Sequence, residues 1–400
     1  MLQILGVLIA LVLIMVLSVR KVKFGISIII GSLVICVFSG VSPDRFARIL
    51  VSVFQDNSTY EVVFDVALIG ILGYILKETQ LITDMIQALS KLLPRKALLA
   101  LIPAIFGIMP MPGGALISAP LIDKEASELG LTAEKKTFVN LWFRHIWFFI
   151  LPISSSFVLA ARLSKINPYD LIIIQMPTFL FMTLLGILFL RYGIRTNLEH
   201  LEGNVSYRAL ILGIAPILLA VVLNIIGVWL PIALSLGILT VFLIKREKLS
   251  LAPSLLWKGL NKELAFATFT VMVFRYLIQD TNAFREIFAT LQGLGIPTMF
   301  FLTVFPFLLG FVAAIPTSGI GVGFSLVLPM FPNISLPMIS IMYQSIIIGY
   351  ELSPLHLCLV LTNEYYHSKL QQVYRLWGPL VLTTYLFGLA TPIIYQMLFP

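Results

Sequence analysis

The stretch 97–122, ALLALIPAIFGIMPMPGGALISAPLI, is apolar at both ends and is interrupted in the middle by Met109-Pro-Met-Pro-Gly-Gly114. A second apolar stretch, 297–330, is interrupted by IPTSGIG at 315–321. Proline and glycine break helices, and unpaired backbone is tolerated at membrane depth only where it is buried in protein or lines a cavity. Each stretch therefore predicts a re-entrant hairpin whose tip is buried between other helices.

Residues that fix backbone geometry recur along the chain at a nearly constant separation. The offset is 202 for Gly25/Gly227, Tyr74/Tyr276, Thr79/Thr281, Pro152/Pro354, Pro177/Pro379 and Gly186/Gly388, and it drifts to 203 for Gly107/Gly310 and to 204 for Pro112/Pro316. Such colinear matches predict one structural unit used twice, over 1–200 and 201–400. A unit of this length in an apolar chain is typical of the internal duplication of secondary transporters.

Composition indicates a polytopic membrane protein. The 400 residues are 59% hydrophobic and only 12% charged, with a mean hydropathy of +1.00. That leaves too little polar surface to cover a soluble globule. The net charge of +8 does not indicate nucleic-acid binding, because the basic residues lie in short loops between apolar runs. Cys36 and Cys358 lie inside apolar runs, where they are interpreted as small core residues.

Hydrophobic length predicts ten membrane spans. The runs long enough to cross the hydrocarbon lie near 2–19, 24–40, 60–77, 137–161, 168–190, 208–225, 228–244, 262–279, 335–362 and 376–398. Each half thus has five transmembrane helices plus one re-entrant hairpin. An odd number of spans inserts the two halves with opposite orientation, so the fold class is an all-α polytopic membrane protein with two inverted-topology repeats.

Basic residues give the expected orientation. With both termini external, 20 of the 27 Lys and Arg residues lie on the cytoplasmic side of the cell membrane and 5 on the external side. The first hairpin then enters from the cytoplasm and the second from outside. Two amphipathic segments, 81–93 and 283–294, precede the hairpins and are expected to lie along the interface.

The chain resembles the ion transporter superfamily, which includes citrate, dicarboxylate, gluconate and arsenite carriers. Within it, the chain is similar to an uncharacterised family of about four hundred residues, known as a domain of unknown function. The resemblance rests on the doubled order of spans, hairpin and broken span, on Pro112-Gly-Gly114 and Pro316-Thr-Ser-Gly319, and on the breaks at Leu151-Pro152 and Ser353-Pro354. It implies that hairpin tips and broken helices form the site. It also implies an elevator-like movement against a dimerising scaffold, hence a homodimer. The tips depart from the Ser-Asn-Thr pattern of the dicarboxylate branch.

The hairpin tips supply the first group of candidate site residues. Exposed N–H groups at helix N-termini favour anions, and unwound carbonyls favour cations. Small and hydroxyl residues there let a ligand approach the backbone. The candidates at the tips are Pro112, Gly113, Gly114, Ser118, Pro316, Thr317, Ser318 and Gly319. The alternative is that the glycines only permit tight turns and close helix packing.

The broken spans supply the second group. Asn140 and Arg144 are four residues apart, hence on one helix face. The candidates in the breaks are Asn140, Arg144, Ser154, Ser155, Glu351, Ser353 and His356. Arg144 and Glu351 either bind substrate and ion or form a structural pair, and Asp65 and Arg275 either pair or orient the substrate. No spacing of ligands indicates a metal site.

These residues predict a secondary active transporter of a small organic anion, with a carboxylate as the favoured substrate. No Gly-x4-Gly-Lys-Ser/Thr run is present, so we expect an ion gradient to drive it. Glu351, Asp65 and the histidines suggest protons as the coupling ion. The hydroxyl-rich second tip suggests Na⁺, and no cofactor is expected. A cation/proton antiporter is the alternative, and an intramembrane enzyme is a weaker one because no zinc or nucleophile motif is found.

Overall fold

The structure, a computed structural model, describes residues 2–20, 22–109, 114–194, 205–281, 288–290, 292–331 and 333–398. These residues form helices and connecting loops, without a β-strand in the described ranges. The first half contains α1 (Leu2–Val19), α2 (Phe24–Phe38), α3 (Pro43–Gln55), α4 (Asn57–Glu78), α5 (Leu81–Leu92), α6 (Arg95–Ile108), α7 (Gly114–Glu128), α8 (Ala133–His145), α9 (Ser155–Ser164) and α10 (Pro168–Gly193).

The second half has a similar order of elements. It contains α11 (Tyr207–Ile225), α12 (Leu230–Ile244), α13 (Ala252–Gly259), α14 (Lys262–Thr281), α15 (Thr298–Leu302), α16 (Val304–Ala313), α17 (Pro316–Val327), α18 (Leu336–Leu352), α19 (Leu357–Tyr366) and α20 (Leu370–Leu398). All ten predicted spans coincide with helices or broken helices. Of the predicted interfacial segments, 81–93 is α5, whereas 283–294 falls partly outside the described residues.

Five of the helical segments are long and apolar enough to cross a membrane on length and composition alone. They are Asn57–Glu78, Pro168–Gly193, Tyr207–Ile225, Leu336–Tyr366 and Leu370–Tyr395. Shorter apolar helices, Leu5–Leu17, Phe24–Phe38 and Leu230–Ile244, stand at three of the other five predicted span positions. Large apolar side chains are exposed along these helices, for example Val37 and Ile225, as expected of surfaces that face lipid.

Two short helices were not predicted. The side chain of Ser42 accepts a hydrogen bond from the backbone N–H of Arg45 at 3.3 Å, and Pro43 is the first residue of α3. Both are strong helix-start signals. Ile49 and Val53, four residues apart, are the buried residues of this amphipathic helix. Helices α3 and α13 are too short and too polar to meet a span criterion, which is why hydropathy alone missed them.

The helices pack as two groups. The first three spans of each half pack together, with α2 on α14, α4 on α12 and α14, and α5 on α11. The hairpins, broken spans and last spans form the other group, in which α6 packs on α8, α16 on α18, and α10 on α20. The two groups meet where α4 packs on α9 and where α14 packs on α17. We call them the span group and the hairpin group.

Both predicted helix breaks are present. Helix α8 ends at His145, continues as a short 3-10 turn to Phe149 and resumes as α9 at Ser155. In the second half, α18 ends at Leu352 and α19 begins at Leu357. Proline explains both interruptions, because it lacks the N–H that a continuous helix would use.

Backbone geometry recurs at one pair of residues with particular clarity. Lys165, the residue after α9, has φ 56°, and His367, the residue after α19, has φ 51°, both in the left-handed region. The two residues are 202 positions apart. The same offset does not hold everywhere, because Gly25 lies inside α2 whereas Gly227 precedes α12. Positions 202 residues apart therefore match in backbone structure around the helix breaks, but not near the start of each half.

The suggested pair of Asp65 with Arg275 is wrong. The carboxylate of Asp65 lies 3.2 Å from Nη2 of Arg162, and Nη1 of the same arginine is 2.5 Å from Glu61. Asp65 is fully buried. Arg162 stands at the end of α9, so this ion-pair cluster joins the hairpin group to the span group.

Candidate functional site

A cavity of about 430 Å³ lies between the two groups of helices. Its wall is built from both halves of the chain, by the first helix break, the tip of the second hairpin, the first half of α14 and the end of α18. The polar and reactive side chains on this wall are Arg144, His145, Ser154, Ser155, Ser156, Asn261, Glu263, Thr268, Thr317, Ser318, Tyr350 and Cys358.

Arg144 is the buried cation of this cavity. Its Nη1 donates a hydrogen bond to the carbonyl of Phe106 at 2.7 Å, and its side chain is 8% exposed. Its guanidinium lies against Gly114, where an added Cβ would be 2.5 Å from Nη1. Its own backbone carbonyl lies against Gly107. Two glycines of the first hairpin thus allow the hairpin to pack directly on Arg144, and they fix where the charge stands.

Two helix N-termini reach the same cavity. Helix α9 begins at Ser155 and α17 begins at Pro316, and both starts border the cavity. The first N–H groups of a helix have no partner within the helix and carry partial positive charge. The hydroxyls of Ser154 and Ser156 are 2.8 Å apart. The wall beside Arg144 is therefore rich in hydrogen-bond donors.

Two predicted binding residues lie elsewhere. Ser118 Oγ–H donates to Asn140 Oδ1 at 2.6 Å, and Asn140 Nδ2–H₂ donates to the carbonyl of Ala115 at 2.9 Å and to the hydroxyl of Thr362 at 3.2 Å. Neither Ser118 nor Asn140 borders the cavity. Their bonds hold α7, α8 and α19 together, a position that suits packing of the hairpin rather than contact with a ligand.

The predicted residues of the second break are buried beside the cavity rather than on its wall. Both carboxylate oxygens of Glu351 have no hydrogen-bond partner among the described residues, so Glu351 forms no ion pair with Arg144. Ser353 Oγ accepts a hydrogen bond from the N–H of Leu355 at 3.3 Å. His356 Nε2 lies 2.6 Å from the hydroxyl of Tyr350, which does border the cavity.

Of the predicted residues at the second hairpin tip, three border the cavity and one does not. Pro316, Thr317 and Ser318 border the cavity. Gly319 instead faces the packing between helices, where a Cβ would be 2.7 Å from Ile346 and 3.1 Å from the backbone of Gly310. Pro112 and Gly113 lie outside the described residues.

Six polar or reactive residues of the wall are not among the predicted site residues, namely Ser156, Asn261, Glu263, Thr268, Tyr350 and Cys358. Cys358 was interpreted as a small core residue, and it is indeed mostly buried, with 8% exposure, but it borders the cavity. A signal for it existed: Ser156 follows Pro152 by four residues, as Cys358 follows Pro354. Tyr350 had no comparable signal.

Fold and helix lengths together define an all-helical polytopic membrane protein. The sequence profile of the family described as "Protein of unknown function (DUF401)" matches residues 2–394, and the chain belongs to that family. The search of curated proteins found no match. Among solved structures, the chain is similar to the YdaH transporter of Alcanivorax borkumensis, whose crystal structure is described as revealing an unusual topology. The TM-score is 0.61 at 13% identity, with 89% of this chain and 90% of that chain covered, which shows a shared fold.

Proposed function

We propose that this protein is a secondary active transporter of a small organic anion, with the substrate bound in the cavity beside Arg144. The observation that carries this proposal is the meeting of one buried arginine with two helix N-termini in a single cavity. Its volume of about 430 Å³ is within the usual range for small-molecule sites. The shared fold with a protein described as a transporter adds support.

The chemistry of the wall favours a carboxylate. A guanidinium can hold both oxygens of a carboxylate through two parallel hydrogen bonds. The N-termini of α9 and α17 favour negative charge in the same place, and the hydroxyls of Ser154, Ser155 and Thr317 offer further hydrogen bonds. These contacts are those expected of a site for a small acid, and they agree with the resemblance to organic-anion carriers.

Glu351 is the proposed carrier of the coupling ion, a proton or Na⁺. Ionisable side chains inside a span are costly and typically belong to ion or substrate pathways. This carboxyl is fully buried and has no hydrogen-bond partner among the described residues. It stands in the second break, close to Tyr350 of the cavity wall, so movement of the hairpin group would change its access to water.

We further propose two inverted repeats and an elevator-like movement of the hairpin group against the span group, in a homodimer. Ion pairs support the assignment of sides. Four ion pairs among the described residues each join two residues that the predicted topology places on one side, namely Arg45–Asp280, Arg95–Glu128, Lys136–Asp123 and Lys245–Asp84. Arg162, on the predicted external side, pairs with Glu61 and Asp65, which lie in the external part of the predicted third span.

For this cycle, we propose that the described conformation is the inward-open state. The cavity wall includes Phe24, Asn261 and Glu263, which the predicted topology places at the cytoplasmic ends of α2 and α14. Cys358 on that wall is a native reporter. In a Cys36→Ser background, a membrane-impermeant thiol reagent should label Cys358 from the cytoplasmic side and not from outside. Labelling from outside alone would reverse the proposed orientation.

A cation/proton antiporter is the second candidate. It is favoured by two fully buried carboxyls, Asp65 and Glu351, each with at least one oxygen that lacks a partner among the described residues. In such a protein, ion exchange would proceed without any organic solute. Arg144 would then have no substrate to bind, which is why the anion carrier is preferred.

The deciding experiment is uptake into proteoliposomes. Purified protein should take up one of a panel of labelled mono- and dicarboxylates and sugar acids, and the uptake should depend on an imposed proton or Na⁺ gradient. Arg144→Ala should abolish that uptake, with Arg275→Ala, a buried arginine away from the cavity, as the matched control. Cation-driven proton movement without any solute uptake would instead establish the antiporter.

A further inference from the structure

We infer that His145, His356 and Cys358 form a binding site for a transition-metal ion of the Zn²⁺ class on the wall of the cavity. One potential ligand atom of each residue lies within 4.8 Å of those of the other two. Two imidazole nitrogens and one sulfur are the donors that borderline and soft metal ions select. This inference does not depend on the transport function.

Unpartnered ring nitrogens provide the second observation. Neither nitrogen of His145 has a hydrogen-bond partner among the described residues, although the side chain is only 1% exposed. The Nδ1 atom of His356, which is fully buried, also lacks a partner there. Buried polar atoms are almost always hydrogen-bonded. Three unpaired nitrogens on two neighbouring imidazole rings therefore mark a place where an additional ligand belongs.

The rings are already arranged for shared coordination. The centroids of His145 and His356 are 4.7 Å apart, and His145 stacks on Phe148 at 5.4 Å. The hydroxyl of Tyr350 lies 2.6 Å from Nε2 of His356 and so fixes the orientation of that ring, as outer hydrogen bonds do for metal-binding histidines. Tetrahedral coordination separates ligand atoms by about 3.5 Å, so small side-chain rotations would close the site.

An ion can reach the site from the cavity. His145 and Cys358 both border the cavity, whereas His356 lies behind them. Three protein ligands leave a fourth position open on a zinc ion, and here that position faces the cavity. A bound cation would thus stand in the same cavity as Arg144, where the thiolate of Cys358 offsets part of the added positive charge. Metal loading is expected to change what the cavity binds.

Metal binding is tested with purified protein in detergent. Wild type and the Cys36→Ser variant should bind one Zn²⁺ per chain in competition with a chromophoric chelator. His145→Ala, His356→Ala and Cys358→Ser should each weaken binding by about 100-fold or more, because each removes a ligand. Tyr350→Phe, which removes only an orienting hydrogen bond, should weaken it by about tenfold. His367→Ala, an exposed histidine outside the cluster, is the histidine control.

Cobalt gives a readout that separates this site from adventitious binding. Co²⁺-loaded wild type and Cys36→Ser should have thiolate-to-cobalt charge-transfer absorption, and Cys358→Ser should lack it. Each variant is first compared with wild type by elution profile and metal-free thermal stability. Zn²⁺ should then raise the melting temperature of wild type, Cys36→Ser and His367→Ala, but not that of the three variants that each lack a ligand. The assignment would be overturned if Co²⁺-loaded wild type lacked the thiolate band, or if that band persisted in Cys358→Ser.

Discussion

The two broken spans have the same backbone plan but different polar groups. Both stop before a proline, both resume as a ten-residue helix, and both of those helices end at a left-handed residue. At the separation of 202 residues, the corresponding pairs are Arg144/Ile346, His145/Ile347, Phe149/Glu351, Ser154/His356 and Ser156/Cys358. The backbones of the two breaks are therefore alike, while their polar side chains differ.

Under the proposed function, this difference gives the two breaks separate roles. The first break places a cation and three serine hydroxyls on the cavity wall, which suits an anionic substrate. The second places the carboxyl group of Glu351 and the ring of His356 just behind the wall, and the thiol of Cys358 on the wall. In the proposed transporter, the first break binds the substrate and the second binds the coupling ion, although the backbones of the two breaks follow the same plan.

The largest expected effect comes from removing the charge of the first break. Arg144→Ala should weaken substrate affinity by about 100-fold, because it removes a buried, hydrogen-bonded charge from an ion-pairing site. Arg144→Lys keeps the charge but loses the planar fork, so its loss should be smaller. Affinity is measured by binding of the identified substrate to purified protein.

The loss of Arg144 also leaves the carbonyl of Phe106 without its donor, which costs about 1–3 kcal/mol of stability. Arg275→Lys, at a buried arginine of α14, is the matched control and should leave affinity unchanged. If Arg144→Lys binds and transports like wild type, Arg144 is a structural residue and the two breaks do not divide their roles in this way.

The second break should respond differently. Glu351→Gln should reduce gradient-driven uptake by roughly tenfold while substrate exchange continues, because the ion carrier is lost and the substrate site is kept. Glu351→Met should behave similarly and raise stability by about 1 kcal/mol, since an apolar group replaces a buried polar group without partners. Proteoliposome uptake and exchange are compared at matched protein density.

Glu263→Gln is the matched control for this carboxyl, because Glu263 also borders the cavity but is exposed at the start of α14. It should leave gradient-driven uptake unchanged. Normal coupling in Glu351→Gln would assign the ion to another group and leave Glu351 as a packing residue.

A single added methyl group is expected to have different effects at the two hairpin tips. A Cβ at Gly114 would be 2.5 Å from the Arg144 guanidinium, whereas a Cβ at Gly319 would be 2.7 Å from Ile346. Gly114→Ala should therefore displace the guanidinium and lower substrate affinity by about tenfold with little change in stability. Gly319→Ala should lower stability by about 1–3 kcal/mol through overpacking, with affinity retained. Equal effects of the two variants on affinity would show that the tips do not differ.

Much of this arrangement could be predicted from sequence. Hydrophobic length predicted helices at all ten span positions, and five helical segments there are long and apolar enough to cross a membrane. Proline and glycine predicted both helix breaks, because these residues limit backbone geometry whatever surrounds them. The short helices α3 and α13 were missed because neither is long or apolar enough for a span. In α3, the Ser42-Pro43 start and the spacing of Ile49 and Val53 contained the missing signal.

The site was less predictable, because contacts between distant segments decide it. Asn140 and Arg144 share a helix face, yet Asn140 bonds to α7 and α19 while Arg144 borders the cavity. The spacing of residues along one helix does not determine which neighbouring helix packs against each of its turns. The grouping of His145 with His356 and Cys358 is likewise tertiary, because it joins residues more than two hundred positions apart.

The smallest expected effects concern the backbone that the two halves share. Lys165 and His367 are exposed and have positive φ, a conformation that costs a residue with a side chain about 1 kcal/mol relative to glycine. Lys165→Gly and His367→Gly should each raise stability by about 0.5–1 kcal/mol, equally in the two halves, because each ends its helix in the same way. Lys124→Gly, exposed within α7, should instead lower stability by about 1 kcal/mol. Thermal unfolding in one detergent compares all three variants, and a loss of stability in only one of the first two would mean that the two breaks differ in backbone geometry as well as in side chains.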